Sequence, residues 1–238
     1  MCKICFLLLL VISFITPSFA SERQPLVVLM EKDPFFKIMG ANSATFALYD
    51  DGLVIYKKEK DSYLSAILSE KEKNDFIASL DGEKNLKEFH LYCEAVTIDD
   101  KVENTIYLFK DGQRETARLY ANLRSDEKAR NHAPKAFLNM FDKIISYNNS
   151  KATEWEPAKF QVILMPFGDE KGTPWPEGWP DLKSPETVKK GVSYRLYLDF
   201  KYFKELKNLT GESSVFVING KTLHAFYRFP FPCEEKWI

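Results

Sequence analysis

The chain has 238 residues, 45% of them hydrophobic and 14% aromatic, with a formal net charge of −1. Such a composition builds a real core and excludes a chain dominated by disorder, and near-neutrality without a basic stripe gives nucleic acid nothing to follow. Only three histidines occur, His90, His132 and His224, and no HExxH, GxSxG, Walker or GxGxxG spacing is present, so the common catalytic and nucleotide-binding signatures are missing.

Residues 1–20 combine a basic Lys3, an apolar run over 4–15 and a small-x-small sequence at Ser18-Phe19-Ala20. This pattern predicts a secretory signal peptide and an exported protein, periplasmic or extracellular. The run is shorter than the roughly 20 residues of a membrane-spanning helix, and no later stretch is long and apolar enough to span. Cys2 lies before the apolar run and Cys5 at its very start, whereas a bacterial lipoprotein carries its cysteine behind it, so lipid attachment is not expected. About 218 residues remain after cleavage, enough for one large domain or two small ones.

Residues 45–80 supply the organising unit. Phe46 and Leu48 alternate with Ala47 and Tyr49, Leu53 and Ile55 alternate with Val54 and Tyr56, and Asp51-Gly52 between them predicts an antiparallel hairpin with two apolar faces. Ser69 and Glu72 have capping-box spacing, Phe76, Ile77 and Leu80 form an apolar stripe, and Gly82 is placed to end a helix. A strand is expected over 89–98, with a polar turn at Asp99-Asp100. The unit then recurs: Ile106/Leu108 against Tyr107/Phe109, Asp111-Gly112, and a return strand over 113–120 with Ala117 and Leu119 inward and Arg114, Thr116 and Arg118 outward. Pro134 precedes Phe137, Met140, Phe141, Ile144 and Ile145, the spacing of a helix with a core-facing stripe.

A polar stretch over 148–153 reads as a hinge, dividing the chain into 21–150 and 151–238. Residues 160–165 predict a strand, and the prolines and glycines of 166–185 predict a long irregular loop. A strand over 192–198, a helix over 201–209 closed by Gly211, and a hairpin around Asn219-Gly220 complete the second half. The tail, 229–238, with Pro230 and Pro232, is expected to leave the sheet and cross the surface. Runs of strands joined by tight turns point to an α+β fold, antiparallel sheets built from hairpins and covered by helices in two similar-sized halves.

The phrase Phe46-Ala47-Leu48-Tyr49-Asp50-Asp51-Gly52-Leu53-Val54-Ile55-Tyr56, followed by a helix, a second Asp-Gly hairpin, a helix and Trp155-Glu156-Pro157, resembles a group of exported bacterial proteins and lipoproteins. The likeness covers 45–165 and rests on turns and core residues. It implies a bacterial envelope or extracellular location and brings no catalytic residue with it.

Four sets of residues carry candidate chemistry. Cys93 and Cys233 remain after cleavage; in an oxidising compartment they form either one disulfide, closing a loop of about 140 residues and contributing on the order of 4 kcal/mol, or two buried thiols that act as small apolar residues. The histidines read as structural, a zinc site from two of them plus a carboxylate being the alternative; neither metal nor cofactor is expected. The acid pairs Asp50-Asp51, Asp99-Asp100, Asp169-Glu170 and Glu234-Glu235 suit acid/base work only where a fold brings them together, and the first two sit at turns, where Asp serves the backbone. Finally, Trp175, Glu177 and Trp179 lie on a proline-stiffened loop: either the two indoles present a binding surface, or they fold back and cap the second half. The function expected is binding, with a protein the favoured partner; the rival is a hydrolase of envelope polysaccharide or peptide using carboxylates as acid and base.

Overall fold

The strand at the middle of the larger sheet is β1, Pro25–Lys32, apolar from Pro25 to Met30 and hydrogen-bonded to neighbours on both sides. The computed structural model that contains it describes residues 23–81, 93–94, 101–166, 171–212 and 214–238, with the backbone alone at 93–94 and 212. The expected leader over 1–20 lies outside the described residues, as do Gly82, His90, Asp99-Asp100, Asp169-Glu170 and most of the strand expected over 89–98.

The first sheet contains β2 (Phe46–Tyr49), β3 (Leu53–Glu59), β4 (Ser62–Ile67), β5 (Cys93–Glu94), β6 (Glu103–Lys110), β7 (Gln113–Tyr120) and β8 (Thr153–Glu154), in the order β5-β7-β6-β1-β2-β3-β4-β8. Its two Asp-Gly hairpins form as expected, with Phe46 opposite Tyr56 and Ile106 opposite Ala117. Strand β4 extends the first hairpin into a meander that the sequence reading did not anticipate.

The second sheet contains β9 (Lys159–Met165), β10 (Thr173–Pro174), β11 (Val188–Lys190), β12 (Ser193–Asp199), β13 (Val215–Ile218) and β14 (Lys221–Arg228), in the order β10-β13-β14-β9-β12-β11. Asn219 and Gly220 both take positive φ, 48° and 78°, which is what a tight β-hairpin turn requires. All pairings described are antiparallel except two short ones, β5 with β7 and β10 with β13, so the α+β class stands.

Five α-helices, α1 (Pro34–Met39), α2 (Glu70–Ser79), α3 (Glu127–His132), α4 (Lys135–Ile145) and α5 (Phe203–Glu212), and two single 3-10 turns, Phe200–Tyr202 and Glu234–Lys236, complete the described chain. The capping box of α2 is complete, the Glu72 backbone N–H donating to the Ser69 hydroxyl while the Glu72 carboxylate accepts from the Ser69 N–H. Helix α4 buries Phe137, Met140, Phe141 and Ile144 against Val27, Leu29, Phe46 and Leu48, one face of the first sheet. Helix α5 runs through Gly211 instead of stopping there, so that glycine is not its terminator.

The other face of the first sheet enters a second core together with the second sheet. Val28, Met30, Ala47, Tyr49 and Ile55 meet the same cluster as Phe160, Val162, Leu164, Leu196 and Ala225. The halves are therefore not two separately covered sheets; an apolar second face on β1 to β3 has to be buried, and the second half buries it. The stretch over 148–153 does not swing freely either, because β8 pairs with β4 through Leu64 and Glu154. The tail also departs from expectation. Phe229, Phe231 and Trp237 are each under 4% exposed, and the Tyr49 hydroxyl donates to the Pro232 carbonyl at 2.9 Å. Aromatics outweigh the prolines here: the prolines end the sheet, and the rings fill the seam between the halves.

No disulfide is present among the described residues, and the Cys93 side chain lies outside them. Cys93 is level with Leu119, which faces Asn104, which faces Glu31, while the tail bearing Cys233 docks on Tyr49, opposite Pro25. Six strand residues span about 20 Å, and a disulfide needs Cα atoms within about 7 Å, so pairing would require β5 to leave its edge.

Candidate functional site

Asp33-Pro34 folds the chain out of β1 into α1. The Asp33 carboxylate accepts the backbone N–H groups of Phe35 and Phe36 at 2.9 and 3.2 Å, Pro34 supplies a preset φ in the first turn, and Gly40 closes the helix at φ 70°. With only six residues, α1 has no buried side chain. Instead it presents Phe35, Phe36 and Ile38, which are 48%, 40% and 79% exposed. The two phenylalanine rings stand edge-on to Phe226 of β14, with centroids 5.7 and 6.4 Å away.

These rings form one wall of a cleft of about 540 Å³ between the ends of β1, β2 and β3 and the end of β14. Tyr63, Tyr227 and Phe229 also line it, as do Lys57, Lys60, Asp61 and Arg124. Burial pushes the Tyr63 phenol well above its ordinary range, and burial together with the Asp61 carboxylate does the same to Tyr227. Both phenols therefore stay protonated and act as hydrogen-bonding groups on an apolar floor.

Three carboxylates reach the cleft, and each is held. Glu31 accepts a two-pronged contact from Arg124, Nε and Nη2 both at 2.7 Å, and a third hydrogen bond from the Thr45 hydroxyl at 3.0 Å. Asp33 caps α1. Asp61 pairs with Lys207 at 3.2 Å. Lys57 and Lys60, by contrast, are exposed and have no ion-pair partner among the described residues. The arrangement offers aromatic surface rimmed by charges of both signs.

The residues singled out in the sequence lie elsewhere. Trp175 and Trp179 are half-buried against the second core: Trp175 sits on Phe216 at 5.2 Å, Trp179 on Tyr202 at 4.8 Å, and the Trp175 indole N–H donates to the Pro180 carbonyl at 2.9 Å. Glu177 is exposed at the loop tip. Both indoles thus cap the core. Asp50 and Asp51 serve the first hairpin, Asp50 accepting from the Gln24 N–H and Asp51 pairing with Arg23. Glu234 pairs with the buried Arg228, burial raising its pKa while Arg228 opposes the shift. His132 is exposed on α3 and His224 lies on β14, and among the described residues no group of three or more His, Cys, Asp or Glu side chains is placed to hold a metal.

Sequence reasoning passed over α1 altogether. Its signal was present as Asp33-Pro34, a helix cap followed by a helix-starting proline, with Gly40 six residues on. No family model, curated protein or solved structure matches the chain.

Proposed function

We propose that the chain is an exported, non-enzymatic binding protein, and that a protein partner docks on the α1 wall of the cleft. The observation that carries this reading is the display of Phe35, Phe36 and Ile38 on a short, well-capped helix beside a ready-made recess. Exposed aromatics that lose little freedom on binding, ringed by charges of both signs, are what protein interfaces use at their centres. A hydrolase would need a carboxylate available to give or take a proton, whereas Glu31, Asp33 and Asp61 are each engaged by a cation or a helix N-terminus. Export rests on the signal-peptide pattern of 1–20.

The test uses the full chain as bait against an envelope fraction. Ile38→Glu leaves the fold intact, because the side chain is almost wholly in solvent, and weakens capture of the partner at least tenfold, about 1.4 kcal/mol. Capture that is equally strong with Ile38→Glu would place the interface elsewhere.

A further inference from the structure

At the end of β6 a single carboxylate gathers more positive charge than it neutralises. Glu103 is 2% exposed and meets Lys32 at 3.1 Å, Lys37, and the Nε of Arg118 at 3.4 Å, and it accepts hydrogen bonds from the Tyr120 and Thr105 hydroxyls. Three cations and one anion leave a local excess of +2. The donors are not exhausted either: Lys32 uses one of its three N–H groups on Glu103, Lys37 uses two on Glu103 and Tyr120, and the Nη groups of Arg118 have no partner among the described residues. Lys37 and Arg118 remain open to water, with side chains 45% and 38% exposed.

We propose that Lys32, Lys37 and Arg118 form a binding site for a phosphate-type dianion, with Glu103 as the internal anion that holds the three cations together. A dianion matches the excess charge. The sheet holds Lys32, Glu103 and Arg118 in register on β1, β6 and β7, and Lys37 reaches them from α1. Arg118 supplies paired N–H groups to two oxygens and the lysines supply point charges, while Tyr120, which donates its hydroxyl to Glu103 and accepts from Lys37, steadies the cluster from behind.

The experiment is calorimetric titration of the full chain with inorganic phosphate and, separately, with methyl phosphate, in chloride of matched ionic strength. Saturable binding of either is expected; tighter binding of inorganic phosphate identifies the free ion as the ligand, and tighter binding of methyl phosphate identifies a phosphate monoester. Arg118→Gln and Lys37→Gln should each weaken binding tenfold or more, and Arg114→Gln, an exposed position on the same face of β7, should leave it unchanged. Because Lys37 lies on exposed α1, its variant keeps the test decisive even where Arg118→Gln misfolds. No heat beyond the chloride control, or equal binding by wild type and Lys37→Gln, overturns the proposal.

Discussion

Gly52 occupies a place that no other residue type fits. Its φ is 84°, and a Cβ built there would lie 2.4 Å from the Leu68 carbonyl oxygen, while its own carbonyl accepts from the Leu68 N–H. Gly52→Ala should cost about 3 kcal/mol or more in urea unfolding, and a cost below 1 kcal/mol would mean the turn can relax. The Asp51-Gly52 signal was readable because a hairpin turn is written in neighbouring residues. Glu103 was not readable, since its partners lie at Lys32, Lys37, Arg118 and Tyr120, up to 71 positions away. Burial pushes the Glu103 carboxyl up, but hydrogen bonds from Lys37 and Tyr120 and the charge of Lys32 more than offset it and hold the group at about 2, against an ordinary 4.5. A lowered folded pKa stabilises the fold above the unfolded value, and that stabilisation drains away as the pH falls through the folded one. Wild type should therefore lose on the order of 2 kcal/mol between pH 4.5 and 2 that Glu103→Gln does not lose over the same range. Parallel pH curves would contradict this.

Elements whose signals are local were legible in kind and close in extent. Helix α2 shows the Ser69/Glu72 box, and α4 shows the stripe from Phe137 to Ile144 facing the sheet. Helix α1 carries a cap and a proline but no apolar period, because six residues make too short a pattern and its rings face a cleft. The tryptophan loop left two outcomes open in the sequence, since proline stiffness serves an outward and an inward indole alike. Its contacts with Phe216 and Tyr202 make it a lid on the second core. Replacing both Trp175 and Trp179 by Ala should cost about 3 to 5 kcal/mol in thermal or urea unfolding. A loss below 1 kcal/mol would return the loop to the surface.

At the scale of the molecule, two antiparallel sheets built from hairpins were legible but their shared core was not. Strands β1 to β3 carry an apolar second face, which says that something covers them without saying what. The covering groups, Phe160, Val162, Phe229 and Trp237, come from more than 100 residues downstream. Residues 21–150 expressed alone should accordingly expose Val28, Ala47, Tyr49 and Ile55 and fail to show a cooperative unfolding transition, whereas the full chain unfolds in one step. A sharp transition from the isolated half would show that it folds without its partner. The same long-range assembly builds the cleft, because α1 and β14 meet only when the halves are joined. The most direct measurement of its role is photo-crosslinking in the envelope from a reactive side chain placed at position 38, with exposed position 128 on α3 as control. Binding at the cleft predicts a discrete crosslinked protein from 38 and none from 128; the same product from both positions, or from 128 alone, would contradict it.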